Sequence, residues 1–469
     1  MTRHRFLFLA AASVFLASCS LNPKYTRPPA PVSAEWPSGP AYKGLAKTPG
    51  APSAAELQWC NFFTDPRLQE IVGTALQNNR DLRLAALNVE KTRAMYRVQR
   101  AELAPVVNGS AYGSTSRVPA DLSSTGHEMT GEQWGVELGI SAWEIDFFGR
   151  LRSLTESALE SYFASEYARR SMQILLISEV ANAYLTLAAD RENLHLAQST
   201  CESQRASYEL IRRRFEVGIS TELDLRQVQT RVESARVDVA KYTALIAQDE
   251  NALNLLVGSP VRSDLMPEGL DTVKAMPDVS AGLSSTVLLR RPDILEAEST
   301  LRAAYADIGA ARAALFPSIS LTTALGTASA DLTGLFKSGS LAWNYAPRMT
   351  MPMFDPRAWA ALKVTKVNRK IAVAQYEKAI QTAFKEVADE LAKRGTLGDQ
   401  IEAQRALVEA TAESYRLSSL RYHRGSDTYL NVLDAQRSLY SAQQGLISVE
   451  QAKLSNQVTL YKVLGGGEK

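Results

Sequence analysis

The sequence predicts a mostly α-helical protein with a smaller β portion, built from long helical hairpins and duplicated within one chain. Three observations carry that reading. A turn occurs twice: Arg214-Phe215-Glu216-Val217-Gly218-Ile219-Ser220-Thr221-Glu222-Leu223 and Arg421-Tyr422-His423-Arg424-Gly425-Ser426-Asp427-Thr428-Tyr429-Leu430 align without a gap at an offset of 207 positions. Residues 151–216 form a helical pattern of 66 residues without a proline or an internal glycine. Short segments with two-residue alternation stand just before each long helical run.

The N-terminus comes first. Met1-Thr2-Arg3-His4-Arg5 is basic, residues 6–16 are apolar, and Leu16-Ala17-Ser18-Cys19 follows. That order describes a signal peptide over 1–18 rather than a spanning helix. Leu-Ala-Ser-Cys resembles a bacterial lipoprotein signal, in which the Cys19 thiol is lipidated and becomes the first mature residue. Acyl chains then hold a protein at a membrane by burying methylenes. Ser20 in place of Asp points to the outer rather than the inner membrane. Residues 22–52 are rich in proline, including Pro28, Pro29, Pro31 and Pro37, so 19–60 is expected to be an extended strap with little to pack. Cys60 and Cys201 match no metal-ligand spacing and are expected to be buried free thiols, with a disulfide as the alternative. A net charge of +2 over 469 residues gives no reason to expect nucleic acid as a partner.

The first helix is expected over 68–103, ending before Pro105. Within 151–216, Leu176, Val180, Ala183, Leu187, Leu194, Ala197, Cys201, Tyr208, Ile211 and Phe215 follow steps of four and three, with Asp190 and Gln204 as polar exceptions. This heptad seam requires a helical partner along most of its length. The return helix carries Leu225, Val228, Val232, Ala235, Val239, Tyr242, Ile246, Leu253 and Leu256 on one stripe, broken once by Asp249, and stops at Gly258-Ser259-Pro260. The same stripe recurs 207 positions later and ends at Gly465. At 1.5 Å per residue the long helix spans roughly 100 Å and the return about 55 Å, so the earlier helix must cover the remainder. The chain divides into a first repeat at 61–260, a connector at 261–285 near mid-height and a second repeat at 286–469, with helices over 292–315, 357–423 and 427–464.

Strands are expected at 106–116, 134–143, 318–326 and 341–353. Trp134, Val136, Leu138, Ile140 and Ala142 alternate with Gly135, Glu137, Gly139, Ser141 and Trp143. Trp and Tyr on alternating faces beside long rods, on a lipoprotein, suit strands that cross a bilayer. Four strands cannot close a membrane barrel, and an open edge in lipid leaves backbone groups unpaired. Spanning therefore demands oligomerisation to eight, twelve or sixteen strands, between which the arithmetic does not choose.

Cys19 followed by Tyr25-Thr26-Arg27-Pro28, the segment Trp143-Glu144-Ile145-Asp146-Phe147-Phe148-Gly149-Arg150, the motif Arg290-Arg291-Pro292-Asp293-Ile294 and the two glycine turns resemble the TolC/OprM family of outer-membrane efflux ducts, in particular its lipidated OprM branch. The resemblance implies a trimer with a twelve-stranded transmembrane barrel and a long helical coiled-coil barrel extending into the periplasm. It also implies a periplasmic adaptor and an inner-membrane pump of the resistance-nodulation-division class as partners. Both turns then lie farthest from the barrel. By the same resemblance Leu430 and Asp434 match the residues that constrict a periplasmic gate, with Asp224 and Arg437 as further charged contacts that hold it shut. Gly218, Thr221, Gly425 and Thr428 form the tips that meet the adaptor. Pro356 stands where many relatives have glycine, which predicts a shifted helix boundary, since proline serves as a first helical residue.

The expected function is an exit duct carrying small molecules such as drugs, with no cofactor beyond the lipid on Cys19. Ducts for metal ions or polypeptides, and a structural coiled-coil envelope lipoprotein, are the alternatives. No catalysis is expected. His4, His127, His195 and His423 are scattered, and there is no phosphate-binding glycine loop.

Overall fold

In the computed structural model of the chain, residues 20–43, 57–279 and 285–467 are described. The signal segment and Cys19 lie outside them. After one helical turn at Trp59–Phe62 come α1 (Pro66–Asn78), α2 (Arg80–Ala101), β1 (Val107–Val118), β2 (Met129–Ile145), α3 (Arg150–Glu216) and α4 (Glu222–Val257). The order then repeats as α5 (Pro292–Ala313), β3 (Ser318–Ser329), β4 (Leu341–Thr350), α6 (Pro356–His423) and α7 (Tyr429–Val463). Short 3-10 turns at Ser263–Leu265, Leu270–Thr272 and Ser285–Arg290 occupy the connector region.

The expected helix over 68–103 is two helices. Asn79 sits between them with φ −59° and ψ 133°. Its Oδ1 accepts the Leu82 amide at 2.8 Å, which makes it the N-cap of α2. Its Nδ2 donates to the Leu256 carbonyl at 2.8 Å, so the same side chain also satisfies the last turn of α4. The expected helix over 292–315 ends at Ala313, and the strand over 341–353 ends at Thr350. Pro356 begins α6 as expected, and Asp355 Oδ1 caps it by accepting the Arg357 amide at 3.0 Å.

The chain forms two compact units, each drawn from both repeats. One comprises residues up to Pro29, Asn88–Glu166 and Glu296–Tyr376. It contains an antiparallel sheet in the order β1-β2-β3-β4. In the single chain the outer edges of β1 and β4 have no strand partner among the described residues. Trp134, Val136, Leu138 and Ile140 share a face of β2, paired with Gly113, Ala111, Gly109 and Val107. A Cβ on Gly113 would collide with the Trp134 ring, so the aromatic ring lies over a bare cross-strand backbone. The alternation then breaks. Pairing with β3 shifts between Ile140 and Trp143, and Ala142 takes φ 51°, a bulge that the sequence pattern does not predict.

The strap is extended but well packed, contrary to expectation. In this unit Tyr25 meets Tyr305 edge-on at 5.4 Å and its hydroxyl donates to Glu298 at 3.0 Å. Arg27 pairs with the same carboxylate. The aromatic and guanidinium groups between the prolines supply the contacts that composition alone conceals.

The other unit comprises Ala30–Leu87, Tyr167–Leu295 and Glu377–Lys469. Its α3 seam is buried at Leu176, Val180, Leu187, Ala197, Cys201 and Ile211, as its heptad spacing requires. Cys201 is a buried free thiol as expected, whereas Cys60, also free, is exposed rather than buried because it sits on the short helical turn before α1 and not on a helical seam. Here Trp36 of the strap stacks on Phe384 at 5.2 Å. Arg291 donates to the Val463 carbonyl at 2.8 Å and pairs with Asp293 and Glu386, fastening the C-terminal end of α7.

Candidate functional site

Both hairpin turns are Schellman motifs built from matched atoms. In the first, the Gly218 amide donates to Phe215 at 2.9 Å and the Ile219 amide to Arg214 at 2.8 Å. In the second, Gly425 donates to Tyr422 at 2.9 Å and Ser426 to Arg421 at 3.0 Å. Each glycine takes a positive φ, 76° and 72°, which a side chain would strain. The repeat in sequence is thus a repeat of one backbone device.

The caps differ. Thr221 is the N-cap of α4, and Asp224 completes a capping box by accepting the Thr221 amide at 3.1 Å and hydroxyl at 2.8 Å. Those hydrogen bonds, with the Ser220 hydroxyl and the nearby Arg214 charge, outweigh burial and hold the Asp224 carboxyl below the usual carboxylate range. At the second turn Thr428 makes no side-chain cap. Asp427 instead accepts the Thr428 amide at 2.8 Å, takes a hydrogen bond from Asn431 at 2.5 Å and pairs with Arg421 at 3.1 Å.

Between the turns lies a small apolar core of Ile211, Val228, Tyr429, Val432 and Leu433. Tyr429, Val432 and Leu433 thereby fix which face of α7 is turned inward. Leu430 and Asp434, four residues apart, occupy the other face, with Leu430 45% exposed. Asp434 Oδ1 lies 3.5 Å from Arg437 and 3.8 Å from Arg231 of α4. The structure therefore joins Leu430, Asp434 and Arg437 on one helix. Asp224 stays apart from them, occupied with its own helix cap. Gly218, Thr221, Gly425 and Thr428 all lie in the turns.

Two partners were not predicted. Arg231 falls outside the apolar stripe and carries no spacing signal. Arg214 stacks on Tyr422 at 5.3 Å and donates to its hydroxyl at 2.9 Å, tying one turn to the other. Beside Arg231 and Arg437, a cavity of about 60 Å³ is lined by Gln204, Asp238, Gln436 and Tyr440. Gln204, a polar exception in the α3 seam, is buried there. Both turns expose a leucine at the matched positions Leu223 and Leu430, but exposed Val217 and Ile219 add apolar surface to the first turn where the second has Arg424 and Ser426.

Long helices joined by capped turns, and an antiparallel sheet whose two outer edges lack a strand partner among the described residues, are the parts that a channel of the outer membrane would combine. The sequence profile of the outer membrane efflux protein family matches residues 71–259 and 283–466. The toluene efflux pump outer membrane protein TtgC of Pseudomonas putida is 50% identical over 463 residues, covering 98% of this chain and 95% of that one. A crystal structure of a membrane protein from Pseudomonas aeruginosa superimposes with a TM-score of 0.88 at 40% identity, covering 95% of this chain and all of the other. The open state of the Neisseria gonorrhoeae MtrE outer membrane channel does so with 0.85 at 36% identity, covering 96% and 99%. The chain belongs to the outer membrane efflux protein family. It is a transport duct of the outer membrane and not an enzyme.

Proposed function

We propose that the chain works as a homotrimer whose three four-stranded sheets close one barrel, and that its tips form the gate of the duct. The observation that carries the gate is the exposed pair Leu430 and Asp434 on α7, one turn past the hairpin, with Arg231 and Arg437 against the carboxylate. Around a threefold axis these residues make a ring of leucines and a ring of carboxylates. Such rings hinder water and favour cations over anions. Gly218 and Gly425, with Thr221 and Thr428 beside them, offer the grooves that receive a periplasmic adaptor, which in turn links the duct to an inner-membrane resistance-nodulation-division pump. The cargo class is small apolar organic molecules, by extension from the relative named for toluene efflux. Cys19 carries the lipid that holds the mature N-terminus at the outer membrane. Replacing Leu430 and Asp434 with Ala is expected to raise ion conductance in planar bilayers several-fold, and unchanged conductance counts against the gate.

A further inference from the structure

Two heptad seams that are far apart in sequence each have an aspartate where an apolar residue belongs. Asp190 interrupts the α3 seam and Asp249 the α4 stripe, and the fold brings them together across the helix pair with their carboxyl groups within hydrogen-bond reach. Asp249 Oδ2 is buried and receives no hydrogen bond from any protein donor. A buried carboxylate oxygen without a donor is costly, and two facing carboxylates repel. A single proton held between them removes both faults.

The duplication offers a comparison on one side of the seam, since the residue that matches Asp249 is bonded to Glu390, the counterpart of Ala183, and not to Leu397, the counterpart of Asp190. The position 207 residues after Asp249 is Asn456, 4% exposed, whose Nδ2 donates to the Glu390 carboxylate at 2.7 Å and to the Glu390 carbonyl at 2.9 Å. Glu390 is itself paired with Lys393 at 2.7 Å. The second repeat thus crosses its seam with a neutral amide that donates at any pH. An aspartic acid at the same place in the first repeat can donate only while protonated.

We propose that Asp190 and Asp249 form a proton-sharing carboxyl pair that grips the α3–α4 seam in acid and slackens it as the surroundings turn neutral. The α6–α7 seam, held by Asn456, keeps its grip throughout. The step is the binding of one proton from water, with no bond otherwise made or broken. Surrounding charges are largely engaged elsewhere. On α3, Arg191 pairs with Glu250 of α4 at 2.7 Å, and Glu192 accepts the Leu270 amide at 3.1 Å. Glu450 of α7 pairs with Arg405 at 2.8 Å, and it acts with Asp271 and His195 on Glu192 rather than on the pair. Lys241 of α4 also acts on the pair, drawing Asp190 down.

Burial first, then Asp190, push Asp249 up to about 6. An unfolded aspartate titrates near 3.9, so the raised value means that the proton favours the folded seam. Its contribution is complete below about pH 4 and is lost as pH rises through about 6. The periplasm is open to external protons, so this window is one that a duct in the cell envelope meets. The inference does not depend on the gate described above.

The test compares the full chain with Asp249→Asn in detergent, from pH 4.5 to 7.5. The variant is expected to have the higher thermal midpoint at pH 7.5, with the difference vanishing at pH 4.5. Hydrogen exchange of amides 245–253, corrected for intrinsic rates, is expected to show opening about 10-fold more frequent in the wild type than in the variant at pH 7.5, with a ratio near one at pH 4.5. The full shift would allow roughly 100-fold, and partial exposure of the pair reduces it. A difference that is the same at both pH values, or a variant less protected at pH 7.5, overturns the proposal. Should Asp249→Asn fail to fold, Asp190→Asn places the amide on the other side of the pair and is judged by the same two readings.

Discussion

Glu298 fastens the N-terminal strap. It is almost wholly buried and accepts from Tyr25, Arg27 and Arg302, the last at 2.8 Å. Burial alone would push this carboxyl up, but the two guanidinium groups and the tyrosine hydroxyl outweigh it and hold the group below its usual range. Its linkage therefore runs opposite to that of Asp249. The contribution of Glu298 is complete above about pH 4.3 and is lost as pH falls through the folded value. Replacing Glu298 with Ala leaves Arg27 and Arg302 facing each other beside Tyr25. Both guanidiniums are partly exposed, so a loss of about 1–3 kcal/mol is expected rather than the larger penalty of a fully enclosed pair. It would be read as a lower thermal midpoint in detergent; an unchanged midpoint would refute the role. At this scale the sequence was legible where the duplication spoke. Gly218 and Gly425 could be paired at sight, but Arg231 could not, because a basic residue on a polar helix face looks the same whether solvent or Asp434 lies opposite.

Elements were readable in proportion to how far one physical rule ran along them. The α3 rod was evident because nothing in its run breaks a helix, the α6 rod because its pattern carries through Gly395 and Gly398, and the strand pairs because alternation is a two-residue rule. The failures fall where a single side chain overrides that rule. Asn79 breaks the first helix in a stretch without proline, and the reason is tertiary: its amide caps α2 with one end and α4 with the other. Asn79→Ala removes both bonds from a buried site and is expected to destabilise the chain by about 1–2 kcal/mol, read in thermal melts. Asn79→Asp keeps the acceptor for Leu82 but not the donor for Leu256, and should fall between the two. If the Ala variant melts with the wild type, the double cap is not what ends α1. The bulge at Ala142 was hidden because Ser141-Ala142 continues the small–apolar pattern up to it, and its one trace is Trp143, a large ring in the phase otherwise held by small and polar residues.

The whole molecule is governed by what one chain leaves unfinished. Two strand edges carry rows of backbone donors and acceptors, and lipid offers nothing to satisfy them. Light scattering of the purified chain, corrected for detergent, is expected to give a particle of three chains. A conducting monomer would refute the shared barrel. The open edges explain why sequence alone yields multiples of four strands without selecting among them: in the proposed shared barrel the closing contact lies between copies, where no pattern internal to one chain can record it.

Those bare edges also have a genetic consequence. A duct that exists only when every copy contributes a wall cannot average good and bad copies. For the three-chain ring proposed above, in a cell making equal amounts of the normal chain and a variant that folds and pairs but cannot open, random mixing leaves roughly one ring in eight free of the variant. A defect at the tips would therefore behave as dominant, whereas a defect that prevents the sheet from forming would be recessive.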